Sequence, residues 1–532
     1  MARAQDGREV LDSGDNSGPA EPVDIEAEMN GFETGADGCR FSMDVNLIRT
    51  GCDELQAVDI RDTMRSRNVV VAGLGRSGLA AARLLRFLGA EVTVTDTRER
   101  DLLAVNIARL PDGTGIETGG HPVSLLDDAE TVVVSPGISL DQPFFASAAE
   151  RGIEVIGEME LAFRVLRPFG IPWVAVTGTN GKSTTTTLIH LILTGAGQRV
   201  ITGGNIGTPI SDEVLRVLEE GSAGALDHVV VEVSSFQLES IRDFAPSVAA
   251  VLNVTPDHLD RYDGLGGYVE AKARIFMNQT AADRLVLNLD DPVVRRTGEQ
   301  AASEPFYFST KERVRGAYVR DGLICVDTGG GEVVISSIRD LGMKGAHNTE
   351  NALAASLVAS LCGADADAVR SVLSGFRGLE HRMEFVAEID GVGFYNDSKG
   401  TNIGAVTKSL EGLQDGVVLI LGGRDKGGDF TPLREYMDGR VRGLVVIGEA
   451  GGKILGQLGG VAPSAEAEDM ADAVAKAFSM ARPGDVVLLS PGCASFDMFE
   501  DFEHRGRVFK ESVTRLKEVR VAGSARGKRH ET

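Results

Sequence analysis

From about residue 66 to residue 521 one hydrophobic pattern recurs: a short apolar run, a glycine turn, then a stretch whose apolar residues lie three and four apart. The runs at 68–72, 91–95 and 131–134 are brief and rich in β-branched residues, which predicts strands, and Leu79, Ala82, Leu85 and Leu88 between the first two predict a helix. Further strands are predicted at 228–233, 248–253, 393–395, 417–421, 443–447 and 485–489. Strand, turn and helix in alternation imply parallel sheets covered by helices, an α/β fold. The 532 residues divide into about three domains, expected at 66–170, 171–343 and 344–521. Residues 1–65 are acidic, with apolar positions too sparse for a sheet, and predict a disordered extension; 522–532 form a basic tail.

Charge narrows the partners. With 78 acidic against 54 basic residues the formal charge is −24, which disfavours nonspecific attraction to nucleic acid or to an anionic membrane. Any anion must therefore be bound by local geometry. Cys39, Cys52, Cys325, Cys362 and Cys493 show neither metal-ligand spacing nor an even disulfide framework, as expected of a reducing compartment. No apolar run approaches the roughly eighteen residues of a membrane span, so a cytoplasmic protein without membrane insertion is expected.

That local geometry is legible at 174–187, VAVTGTNGKSTTTT. An apolar run breaks into a glycine turn, then Lys182, a hydroxyl and residues able to open a helix. Backbone N–H groups of such a turn and helix start converge on one spot, where the helix dipole, Lys182 and a Mg²⁺ held by a hydroxyl favour phosphates. Gly178 and Gly181 are separated by two residues rather than the four of the common P-loop, which argues against an ordinary GTPase or kinase. The first domain carries Gly73-x-Gly75-x-x-Gly78 with Asp96 about twenty positions further on, a mononucleotide-binding unit. NAD and a uridine diphosphate satisfy it equally. Ser135-Pro136-Gly137-Ile138 follows a strand at the sheet's carboxyl end, where such folds bind ligands.

Other polar groups gather at strand ends. Glu232 closes an apolar strand, where a carboxylate is costly unless paired or metal-bound. Asn253, Asp257, His258, Asp260 and Arg261 share one loop, with His258 the candidate ligand, while Lys272 on an apolar-faced helix reads as a solvated lysine. In the third domain the segments 380–384, 396–402, 421–428 and 490–497 each offer polar groups around a strand. Cys493 has no dedicated base beside it. These clusters predict one cleft for an anionic substrate, facing the phosphate loop.

Taken in order, TGTNGKST, GGNIGTP, VEVSSFQLE, NVTPDHLDRY, HNTENAL, HRMEF, NDSKGTN, LGGRDKGGDF and SPGCASFDMFEDFEHRG resemble the Mur ligases of peptidoglycan synthesis over about residues 68–518. The resemblance implies a Rossmann-like UDP-binding domain, a central P-loop ATPase-like domain and a Rossmann-like C-terminal domain. It implies ATP-dependent ligation of D-glutamate to UDP-N-acetylmuramoyl-L-alanine through an acyl phosphate, using two Mg²⁺ ions; the sequence leaves the oligomeric state open, with a monomer among the options. Gly178, Thr179, Asn180, Gly181, Lys182, Ser183, Thr184, Asn348, Asn351, Arg382 and Asp397 then match ATP contacts. Ser183, Glu232, His258 and Lys272 match metal ligands, Lys272 as a carbamate, which reverses its bland reading. Lys182, His258, Lys272, Lys399 and Lys426 match catalytic groups. Ser77, Asp96, Thr97, Arg98, Ser135, Gly137, Asn205 and Gln237 match the UDP-substrate side, and Thr401, Ser495 and Phe502 the amino-acid end.

The chain departs from the family pattern in its long acidic extension and in Gly400, where alanine is expected. The absence of a DNPR-type acceptor motif favours D-glutamate over diaminopimelate or lysine. Three alternatives fit less well. A folylpolyglutamate synthase would lack the first glycine unit, an NAD oxidoreductase leaves the phosphate loop unexplained, and a silent nucleotide binder would not need Lys182, Glu232, His258 and Lys272 together.

Overall fold

The computed structural model describes residues 64–255, 261–262, 264–413, 415–425 and 427–527, with side chains as far as 520; the extension before residue 64, His258 and Lys426 lie outside the described residues. Three sheets organise the chain. The first contains β1 (Asn68–Ala72), β2 (Glu91–Asp96), β3 (Gly115–Thr118), β4 (Thr131–Val134) and β5 (Glu154–Gly157) in the order β3-β2-β1-β4-β5, all parallel. The helix Arg76–Phe87 lies close on it through buried Ala80, Ala81 and Ala82. At Gly78 a Cβ would run into the Gly73 carbonyl, so the third glycine of the GxGxxG unit is needed for close helix–strand packing.

The second sheet has nine strands. These are β6 (Trp173–Thr177), β7 (Val200–Gly204), β8 (His228–Glu232), β9 (Val248–Val251), β10 (Arg284–Asn288), β11 (Glu304–Ser309), β12 (Gly316–Arg320), β13 (Leu323–Asp327) and β14 (Val333–Ser337). Their order is β14-β13-β12-β11-β10-β9-β6-β8-β7, parallel except for the β12–β13–β14 meander. The central strand β6 is buried along its whole length, which is why WVAVT reads as a continuous apolar run. The third sheet joins β15 (Glu384–Ile389), β16 (Val392–Asn396), β17 (Val417–Gly422), β18 (Val441–Ile447), β19 (Ser464–Ala467) and β20 (Val486–Leu489) as β15-β16-β20-β17-β18-β19. Only its edge pair β15–β16 is antiparallel.

The helices Ala346–Leu361 and Ala366–Gly375 bury Leu353, Leu357, Val369 and Leu373 in the core of the second sheet. They therefore lie with the middle domain although they follow the division expected at 344. The last helix spans Phe502–Gly527, so the start of the basic tail continues it. Among the described residues no helix is long and apolar enough to cross a membrane.

The helix Glu158–Leu166 leaves β5 and is fastened to the middle domain by two buried carboxylates. Glu160 accepts the backbone N–H groups of Arg242, Asp243 and Phe244 at 2.9–3.0 Å. Glu158 accepts the Ser211 N–H at 2.7 Å, while its other oxygen is buried with no hydrogen-bond partner. Burial pushes this carboxyl from its ordinary 4.5 to about 7, against the hydrogen bonds from Ser211. The folded state thus holds the proton more tightly than the unfolded chain. Stability from this group is complete below about pH 4.5 and is lost as pH rises through 7. Glu158→Gln should accordingly flatten the fall in thermal midpoint between about pH 5 and 8, a difference on the order of 3 kcal/mol. Parallel melting curves for the variant and the wild type would contradict this.

Candidate active site

The phosphate loop leaves β6 at Thr177 and enters the helix Lys182–Gly195 through Gly181, whose φ of +81° suits glycine. A side chain at Gly181 would also collide with Asn351 Oδ1, which accepts from Thr185 Oγ1 at 3.3 Å. Asn351 thus closes over the loop. A second clamp comes from Asn253, whose carboxamide accepts the Asn180 N–H at 2.8 Å and donates to the Asn180 carbonyl at 3.1 Å. Lys182 Nζ donates to the carbonyls of Gly178 and Thr179 at 2.9 and 3.0 Å. Lys272, only 2% exposed, donates to the same Gly178 carbonyl at 2.9 Å and lies 4.4 Å over the Tyr268 ring. The helix lysine that reads as solvated is thus buried against the loop, because Gly264–Ala273 packs its Tyr268, Ala271 and Lys272 face inward.

Glu232 ends β8 beside this loop and is 2% exposed. Its Oε1 accepts from Asn205 Nδ2 at 2.7 Å, whereas Oε2 is buried without a hydrogen-bond partner. A buried carboxylate oxygen with spare lone pairs suits a hard cation. Among the described residues no three His, Cys, Asp or Glu side chains converge as a metal cluster.

The third domain reaches into the same place. His381 and Met383 adopt left-handed backbone, with φ of +62° and +45°, so Arg382 sits between two strained residues. Its guanidinium donates to Ser183 Oγ at 3.4 Å. Lys408, on the helix Ile403–Glu411, donates to Asn180 Oδ1 at 3.1 Å. Nothing local in the sequence marks Lys408, which looks like an ordinary exposed helix residue. Burial pushes the Lys399 ammonium down, and Arg382 and Arg76 add to this while Glu232 and Glu503 oppose it. Those neighbours come from all three domains. Lys399 Nζ also lies 5.7 Å from the Phe502 ring centre, and Thr401 N–H donates to the Lys399 carbonyl at 2.8 Å. Arg505, 1% exposed, ties two turns together. It donates to Ser398 Oγ and carbonyl and to the carbonyls of Cys493 and Ala494 at 2.9–3.2 Å, and burial holds its guanidinium down at about 10. Ser495 is buried beside that turn.

Two of the expected site residues also hold the fold together. Asp397 faces inward: its Oδ2 accepts from Ser409 and Ser490 at 2.7 Å each, and burial raises its carboxyl against those bonds. Gln237 closes a capping box with Ser234 on Ser235–Glu239. Asn348 donates to the Lys344 carbonyl at 2.8 Å and lies one helical turn from Asn351. In the first domain Asp96 Oδ2 accepts the Leu74 N–H at 2.7 Å, and Arg98 binds both carboxylate oxygens at 2.8–2.9 Å. Burial alone would raise this carboxyl, but the bonds from Arg98 and Leu74 bring it down to about 2. Asp96 therefore stays ionised and braces the glycine loop. Ser135 Oγ donates to the Gly73 carbonyl at 2.8 Å, joining the turn of Gly137 to that loop. Ser77 opens the adjoining helix, and Thr97 is exposed beside Arg98.

Comparison with known proteins is consistent along the chain. Residues 67–157 match the Mur ligase MurD-like N-terminal domain, 176–359 the Mur ligase middle domain and 381–493 the Mur ligase glutamate ligase domain. The chain is 45% identical to a UDP-N-acetylmuramoylalanine–D-glutamate ligase of Acidobacterium capsulatum, over 85% of this chain and 96% of that protein. It is 43% identical to one of Caldanaerobacter subterraneus subsp. tengcongensis, over 85% and 99%. Among solved structures, MurF of Acinetobacter baumannii superposes with a TM-score of 0.52 at 16% identity, covering 83% of this chain and 93% of that one, a likeness of fold.

Proposed function

We propose, from the premise that this chain belongs to the Mur ligase family, a division of labour among its residues for the reaction that it catalyses. The enzyme ligates D-glutamate to UDP-N-acetylmuramoyl-L-alanine at the expense of ATP, in peptidoglycan precursor synthesis. A carboxylate is a poor acyl donor because oxide would have to leave. An oxygen of the L-alanine carboxylate attacks the γ-phosphorus, ADP departs, and the acyl phosphate retains a good leaving group. The amine of D-glutamate then adds to the carbonyl, loses a proton, and the tetrahedral intermediate expels phosphate as the amide forms.

The phosphate-loop N–H groups and Lys182 hold the β- and γ-phosphates, while Asn351 and Asn348 border the nucleotide. Arg382, presented to Ser183 by a strained turn, adds charge at the transferring phosphoryl group. Lys399, half-buried near the Phe502 ring, is suited to the acyl phosphate and the incoming amino acid, with Thr401, Ser495 and Phe502 at the amino-acid end; the resemblance gives Lys426 a share in the same task. Asp96, Thr97, Arg98, Ser77, Ser135, Gly137 and Asn205 line the UDP-substrate side. Glu232, with its unpartnered buried oxygen, and Ser183 would hold one Mg²⁺, with His258 and a carbamylated Lys272 at a second, supplying neutralisation of phosphate charge. One chain supplies every group, so a monomer suffices, and a cytoplasmic setting provides the ATP.

The observation that carries this assignment is the pair of contacts by which the third domain reaches the phosphate loop, Arg382 to Ser183 Oγ and Lys408 to Asn180 Oδ1. It supports a single cleft with a phosphoryl donor on one wall and an acceptor on the other. Multiple turnovers of ADP should form only when UDP-N-acetylmuramoyl-L-alanine and D-glutamate are both present, and at most about one equivalent per enzyme without D-glutamate. Sustained ADP formation with UDP-N-acetylmuramoyl-L-alanine omitted would reject its carboxylate as the phosphoryl acceptor.

A further inference from the structure

One arginine bridges two domains beside the cleft without a part in the transfer itself. The Arg261 guanidinium donates to the carbonyls of Gly137 and Ile138 at 3.4 and 3.2 Å and to Glu239 Oε2 at 2.7 Å, and lies 5.1 Å over the Phe236 ring. Tyr262 donates its hydroxyl to the other oxygen of Glu239 at 2.6 Å and stacks with Phe236 at 6.1 Å. Both carboxylate oxygens are therefore held, and the Arg261 and Glu239 side chains are each only 20% exposed. Phe236 and Glu239 belong to the middle domain's Ser235–Glu239 helix, which the Ser234–Gln237 capping box fixes. Gly137 and Ile138 belong to the first domain's turn, which Ser135 joins to the Gly73 loop.

A planar fork of donors can span two carbonyls, a carboxylate and a ring face at once, which the point charge of a lysine cannot. Glu239 also balances the charge of Arg261, so the arginine is committed to protein groups and not to a substrate phosphate. We propose that Arg261 is a positioning residue: it locks the 135–138 turn to the middle domain and so sets the UDP-substrate's carboxylate in line with the γ-phosphate. This rests on the reading of that turn as part of the UDP-substrate site.

The test compares Arg261→Ala, Arg261→Lys and Glu239→Gln with the wild type by steady-state kinetics on all three substrates and by melting. Arg261→Ala should raise KM for UDP-N-acetylmuramoyl-L-alanine by about tenfold or more, leave KM for ATP within about twofold, and regain activity with millimolar guanidinium. Arg261→Lys should recover little of the loss, and Glu239→Gln should fall between. Wild-type constants in Arg261→Ala, or an equal rise in all three KM values with a lower melting point and no guanidinium rescue, would overturn the proposal. Failure of the wild type itself to use the UDP-substrate would instead strike the assigned reaction, so the two failures are distinguishable.

Discussion

Lys272→Ala should lose roughly a thousandfold in kcat, and short carboxylates such as formate or acetate should restore part of it. The side chain is buried beneath the phosphate loop, 2.9 Å from the Gly178 carbonyl and over the Tyr268 ring. Two roles meet there. As an ammonium it ties down the first residue of the loop; as a carbamate it exchanges a positive group for a carboxylate able to serve a cation beside Glu232. Truncation removes both, but an added carboxylate can replace only the second. Rescue in steady-state assays therefore reports the carbamate. Loss without rescue, with a lowered thermal midpoint, would assign Lys272 to the loop tie alone.

A comparable loss, again about a thousandfold in kcat/KM for ATP, is expected for Lys182→Met. Lys182 opens the helix that follows the glycine turn, and its Nζ rests on the carbonyls of Gly178 and Thr179. Those contacts hold the ammonium within the loop where phosphate oxygens would arrive. Methionine keeps the length and much of the packing but removes the charge. Binding of UDP-N-acetylmuramoyl-L-alanine, followed by calorimetry, should be unchanged, because that substrate is assigned to the first domain. A variant that keeps normal ATP kinetics would place the phosphoryl donor elsewhere.

The strands around the chemistry were readable because both faces are buried, so NVVVA and WVAVT stand out against their glycine turns. The edges were not. β13, β14 and β15 are antiparallel and less uniformly apolar, and the strand–helix alternation gives no hint of them. The helix Ala346–Leu361 follows the expected division in sequence, yet its alanine-rich face is covered by the second sheet, a tertiary choice without a local signal. Within the site, the phosphate loop and Glu232 follow from elementary costs: glycine where φ is positive, and a carboxylate that burial would otherwise penalise. Asp397 shows the limit of that logic. A polar residue at a strand end can also bond within its own domain, and Ser409 and Ser490 hold one Asp397 oxygen from 12 and 93 residues away. Gln237 could have been read differently, since S-x-x-Q is itself a capping-box spacing. The burial of Lys272 needed the tertiary structure; the resemblance to the family implied only its role as a carbamate.

The most direct test supplies purified protein with ATP, Mg²⁺ and UDP-N-acetylmuramoyl-L-alanine, offers D-glutamate, L-glutamate, L-lysine and meso-diaminopimelate in turn, and weighs the product. The expected result is a mass increase of one glutamyl residue with D-glutamate alone, matched one to one by ADP and phosphate. Equal ligation of L-glutamate or meso-diaminopimelate, or ADP formation without a ligated product, would contradict it.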